Sequence, residues 1–174
     1  MKSVRIVANI LFYLTRVAAI IYVITALYTT AVVLLYVSGA AAPMNVENGA
    51  FEIYYPFTTA PFLLGDYTNS FLTMMILLIS FYALFLWLLS NVFNTFRQTK
   101  LFTPAGVRRL SRFYVTNLTI PIISLIAAVL FYHDAVNDIA AISFLHIIIG
   151  VFAFFMAAIF KQGLVLQEEQ DLTL

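Results

Sequence analysis

The sequence predicts an all-α fold, a four-helix transmembrane bundle. Three observations predict it: four long stretches without a charge, a composition far too apolar for water, and basic residues confined to one side. The stretches are Val17–Val37, Phe71–Phe93, Phe113–Phe131 and Ile139–Phe160, and none contains Asp, Glu, Lys or Arg. Each approaches the ~20 residues a helix needs to cross ~30 Å of hydrocarbon. In lipid a segment must satisfy its own backbone hydrogen bonds, which a helix does. The chain is 63% hydrophobic and 10% charged, whereas soluble domains are about a quarter charged. Disorder needs low hydrophobicity and high net charge, so the same composition excludes it.

Lys2 and Arg5 precede the first stretch, and Lys161 follows the fourth. Arg97, Lys100, Arg108, Arg109 and Arg112 lie between the second and third. The acidic residues Glu47, Glu52 and Asp66, and then Asp134 and Asp138, mark the other two connections, which carry no Lys or Arg. The positive-inside rule therefore puts both termini in the cytoplasm. The expected organisation is one integral membrane domain over residues 1–174, with an outer loop 38–70, an inner basic loop 96–112 and a cytoplasmic tail 161–174.

The first helix has an apolar pattern from Val4 onward, and a helix from there to Val37 would be ~50 Å long. Arg16 at the cytoplasmic boundary leaves Val17–Val37 as the span and residues 3–15 as an interfacial or protruding start. A snorkelling arginine at a helix end is the expected reading. A buried functional arginine would need an acidic partner in the membrane, and no span offers one. Ala40-Ala41-Ala42 has the look of a signal-peptide cleavage site. The run before it exceeds the ~7–15 residues of a signal h-region, and Pro43 would obstruct the cut. The first helix is expected to be retained.

The outer loop opens with a turn-prone Asn45–Gly49 stretch. Phe51, Ile53, Tyr55 and Phe57 then alternate with Glu52, Tyr54 and Pro56, the pattern of a short half-buried strand, with Pro56 confining it to an edge. Ala60–Leu64 is its candidate partner. A lone two-stranded unit is marginal in water, so this aromatic extracytoplasmic hairpin should rest on the helix ends. Tyr54, Tyr55 and Phe57 are candidates for an outer lid or ligand site, with simple packing at the interface as the alternative.

In the inner loop, Thr103 before Pro104 reads as a helix start, Thr as N-cap and Pro at the first helical position. Arg108, Arg109 and Arg112 on that helix are candidates for contact with lipid headgroups or a partner. No nucleic-acid-reading module is present, so direct DNA or RNA binding is not expected. In the fourth helix Ser143, Gly150 and Ala157 recur every seven residues, with His146 and Ala153 between them. Such a stripe of small residues admits a close helix neighbour and turns Ser143 and His146 toward the bundle interior. His146 is the ionisable candidate within the spans, and an interhelical hydrogen bond is its expected role. Asn91, Asn94, Thr116 and Asn117 are candidates for hydrogen bonds across helices or for capping a small inner vestibule.

With no cysteine, thiolate chemistry and Cys-ligated metals are excluded. His133 and His146 lack metal-ligand spacing, Asp134 and Asp138 belong to a loop, and no phosphate-binding fingerprint occurs. No catalytic, cofactor-binding or metal-binding residue is assigned, and an enzyme is not expected.

The inner loop and the tail carry a resemblance. The run Lys100-Leu101-Phe102-Thr103-Pro104-Ala105-Gly106-Val107-Arg108-Arg109-Leu110 resembles the loop of the bacterial domain-of-unknown-function family 2975. There, a Phe-Thr start and a basic helix ending in Leu follow the second span. Ala158–Gly163, continued by Glu168-Glu169-Gln170-Asp171-Leu172-Thr173-Leu174, is similar to that family's acidic-then-Leu-Thr ending. The resemblance implies a small four-span protein of the bacterial inner membrane without established activity. It also implies a partner, because family members are often encoded beside a small helix-turn-helix regulator.

Three functional readings follow. The first is a regulatory or sensor protein that holds a small cytoplasmic helix-turn-helix regulator through Arg108, Arg109, Arg112, Glu168, Glu169 and Asp171. In the bland version of that arrangement the basic helix and the acidic tail pair with each other. The second is a transporter or channel for a neutral or apolar solute, with His146 lining the path. The third is a structural subunit of a larger membrane complex. Membrane lipid is an expected partner in each, and a homo-oligomer is compatible with all three.

Overall fold

The computed structural model describes residues 2–172, the side chains of Asp134, Asp171 and Leu172 excepted. Four helices carry the chain: α1 Lys2–Val37, α2 Asn69–Phe96, α3 Pro104–Phe131 and α4 Val136–Leu172. Their lengths are 36, 28, 28 and 37 residues, and each is long and apolar enough to cross a membrane. Every predicted span falls inside one of them. Only 11–22% of each helix's most apolar window is buried by protein, so most of the apolar surface faces outward, as lipid-facing helices require.

Between α1 and α2 lie three strands, β1 Met44–Glu47, β2 Ala50–Tyr54 and β3 Pro61–Asp66, in an antiparallel sheet of order β1-β2-β3. The sequence predicts two of these strands, β2 and β3. β1 comes from the stretch expected to be only a turn, because the turn proper is the two-residue Asn48-Gly49 between Glu47 and Ala50. Both residues have positive φ, 52° and 79°, the geometry that a tight hairpin's twist demands.

The alternation in β2 holds through Phe51 and Ile53, both fully buried, and then fails: Tyr55 is 48% exposed and Phe57 fully exposed. The register shifts between Ile53 and Tyr54, and the strand ends there. Pro56 has no N–H for a ladder, and Phe57 turns the chain at φ 63°.

Two compact units are distinguished, Val17–Leu84 and the chain on either side of it. In the first, Phe51, Ile53 and Met44 from the sheet pack with Val32 and Val33 of α1 and Leu72 of α2. The Tyr28 hydroxyl donates to the Tyr54 carbonyl at 2.6 Å.

In the second unit, α3 and α4 form a helical hairpin closed by a single 3-10 turn, His133–Ala135. Leu110 and Phe113 of α3 pack with Ala153, Ala157 and Phe160 of α4 and Val92 of α2. The start of α3 is fixed as the sequence predicts, with Thr103 Oγ1 accepting from Gly106 N at 3.0 Å and Pro104 at the first position. The tail does not separate from α4, which continues unbroken to Leu172. Thr173 and Leu174, the end of the motif singled out in the sequence, lie outside the described residues.

Candidate functional site

The second unit holds two polar constellations inside apolar surroundings. The first lies between α3 and α4. Ser143 and His146 are each 2% exposed, and Asn117 is completely buried. The Asn117 amide nitrogen donates to its own helix at the Phe113 carbonyl, 2.8 Å, and its oxygen lies 2.9 Å from His146 Nδ1. An amide oxygen only accepts, so with this amide orientation the imidazole carries its proton on Nδ1. The Ser143 hydroxyl donates to the Pro121 carbonyl at 3.1 Å. Phe85 of α2 meets the His146 ring edge-on, centroids 4.9 Å apart.

The close approach depends on Gly150. A Cβ there would stand 2.8 Å from Leu118 Cδ2 and 3.3 Å from the backbone carbon of Asn117. The groove along the small-residue stripe is filled by α3. The arrangement joins the two helices through the Asn117–His146 and Ser143–Pro121 contacts.

The second constellation joins α1 to α2 through arginines. The Arg16 guanidinium donates to the Asn91 amide oxygen at 2.7 Å and lies 3.9 Å from the Trp87 ring centroid. Phe12 is shared by two cations, Arg16 at 5.3 Å and Arg97 at 4.2 Å. Arg97 also reaches the Tyr13 ring at 5.0 Å and its hydroxyl at 3.5 Å. An acidic partner for Arg16 was the expected condition for a role inside the membrane. An amide and two aromatic faces take that place, and such faces attract cations through their quadrupoles. Asn91 was a candidate from its position, but nothing in the sequence pairs it with Arg16.

The other candidates lie apart from these. Arg108 and Arg112 are exposed one turn apart on α3, and Arg109 is half-buried. Glu168 and Glu169 are exposed on the last turns of α4, while the Asp171 side chain lies outside the described residues. The three aromatics proposed for the lid diverge. The Tyr54 hydroxyl donates to Glu52 Oε2 at 3.2 Å, Tyr55 packs on Phe62 with centroids 4.7 Å apart, and Phe57 faces outward. Among the described residues no group of three His, Cys, Asp or Glu side chains is placed to hold a metal ion.

A family model described as a protein of unknown function (DUF2975) matches residues 52–174. The chain belongs to that family. The DUF2975 match takes in α2, α3 and α4, and with them the His146 cluster, the α3 arginines and the end of α4. α1, which supplies Phe12 and Arg16, lies outside it. No curated protein and no solved structure matches the chain.

Proposed function

We propose that this DUF2975 protein is a regulatory or sensor component of the bacterial inner membrane, with both termini in the cytoplasm, that binds a small helix-turn-helix regulator there. The observation that carries the reading is the end of α4. The helix runs twelve residues past Phe160, the last core residue it contributes, and presents Glu168 and Glu169 to solvent. Those twelve residues rise ~18 Å as continued helix, with Gly163 still lying against Phe102. Arg108 and Arg112 offer the opposite charge from the first turns of α3. Charged groups of this kind steer encounter and set register more than they add affinity. The partner class comes from the family resemblance.

The test is purification of the full chain from its native host in a gentle detergent, with mass spectrometry of what accompanies it. A small helix-turn-helix protein in near-equal amount, lost in the Arg108→Glu/Arg109→Glu/Arg112→Glu variant, is the expected result. Capture that survives those three reversals refutes the assignment of the surface. Absence of any such protein refutes the function.

A further inference from the structure

A third feature of the second unit belongs neither to the buried clusters nor to the α3–α4 surface. An open cleft of about 650 Å³ lies where the start of α1 meets the end of α2. Lys2, Arg5 and Arg97 line it together with the amides of Asn9, Asn94 and Gln98. Among the described residues no carboxylate lines it, and the sequence has none in residues 1–46 or 67–133. Three cations and three amide groups thus face one space with no internal counter-ion along either helix.

Arg97 is held in position rather than free to swing, because its guanidinium is stacked on Phe12 and bonded to Tyr13. Gln98 donates to the Asn94 carbonyl at 3.2 Å and to its side-chain oxygen at 3.4 Å, which ties the two amides together. The first turn of α1 carries no acidic residue, so its free N–H groups add positive potential to the same end. Planar guanidiniums with amide donors match the oxygens of a phosphate group.

The rim decides what carries the phosphate. Ile6 lines the cleft and is 61% exposed, and Ile10 and Leu14 continue from it at 60% and 63%. Spaced four apart, they form one apolar strip along α1 that starts at the cleft. A soluble anion has no use for that strip, whereas an acyl chain does.

We infer that the cleft formed by Lys2, Arg5 and Arg97 is a binding site for the phosphate headgroup of an anionic phospholipid, whose acyl chain lies along Ile6, Ile10 and Leu14. The inference is independent of the regulator reading and of which side of the membrane this end occupies. It makes the lipid a bound ligand at one place rather than a general solvent.

The test uses the full chain in neutral detergent, with native mass spectrometry counting the lipid retained as phosphatidylglycerol is titrated in. Phosphatidylcholine with the same acyl chains is the comparison. One phosphatidylglycerol should be retained in preference to phosphatidylcholine. In Lys2→Gln/Arg5→Gln, which alters only exposed side chains, affinity should fall about 30-fold at low salt, about fivefold for each basic residue at such a surface. Lys100→Gln/Lys161→Gln removes the same charge elsewhere and should leave retention unchanged. Arg97→Lys keeps the charge, loses the planar fork and should give an intermediate loss. Equal retention of the two lipids, or full retention by Lys2→Gln/Arg5→Gln, overturns the site. If inorganic phosphate displaces the lipid and stabilises the protein as strongly by itself, the ligand is a free anion and the lipid assignment falls.

Discussion

Replacing Asn117 with alanine tests whether a single polar contact fixes the α3–α4 pair. The contact is 2.9 Å long between two side chains no more than 2% exposed. A neutral hydrogen bond contributes a net ~0.5–1.5 kcal/mol in folded proteins, and interhelical ones in membranes average ~0.6, with a maximum near ~1.7. Truncation also strands the His146 Nδ1 proton away from its amide acceptor, a desolvation cost of about 1–3 kcal/mol. Asn117→Ala should therefore cost about 1.5–3 kcal/mol, more than the bond alone. In a cycle with His146→Ala, the coupling should fall in the range of ~0.6–1.7 kcal/mol. The assay is reversible unfolding in mixed micelles of rising dodecyl sulfate content, followed by helix circular dichroism. Additivity of the two substitutions to within ~0.3 kcal/mol would mean the pair does not interact, and the account of the interface would be wrong.

Two further outcomes are expected. Thr103→Ala removes the hydroxyl that accepts from Gly106 N at 3.0 Å and should cost ~1 kcal/mol in the same unfolding assay, with Thr103→Ser retaining most of it; an alanine variant as stable as the parent would remove the cap from the account of α3. In the sheet, desolvation first, and then the hydrogen bond and negative charge of Glu52, push the Tyr54 phenol above its ordinary value. The fold thus favours the protonated phenol, so its stabilising contribution is complete below about pH 10 and is lost as pH climbs through the raised value. Tyrosinate absorbance of the protein minus that of Tyr54→Phe should show a late titration that Glu52→Gln brings earlier, and a midpoint indifferent to Glu52 would contradict this.

The parts of the structure legible in the sequence are those set by one segment and its solvent. Charge-free runs locate the helices because lipid penalises every charge in the same way. Thr103-Pro104 locates the start of α3 because a cap is local chemistry. The seven-residue recurrence of Ser143, Gly150 and Ala157 identifies a packing face without naming its partner. The partner is a tertiary fact: Asn117, His146 and Asn91 each read as candidates for hydrogen bonds across helices, but no spacing pairs Asn117 with His146 or brings Asn91 and Trp87 to Arg16. For Arg16, an amide and an aromatic face meet a partly buried guanidinium where a charge pattern alone points only to a carboxylate. The first strand was readable and was missed. Asn48-Gly49 between Val46 and Phe51, which pair across it, is a strong hairpin signal. Exposure of Tyr55 and Phe57 is less readable, since the alternation that hides Phe51 and Ile53 runs on past Tyr54, where the strand ends.

Trp87 is the chain's single tryptophan, and its ring lies under the Arg16 guanidinium, 3.9 Å from it. The protein is consequently born with one optical label, placed at the contact between α1 and α2. Its ultraviolet fluorescence reports whether a positive charge sits over that indole, with no dye attached and no background from a second indole. Any event that draws Arg16 away changes the colour and yield of the emitted light. The membrane connection between these two helices can therefore be watched in the unmodified protein, in vesicles and in real time.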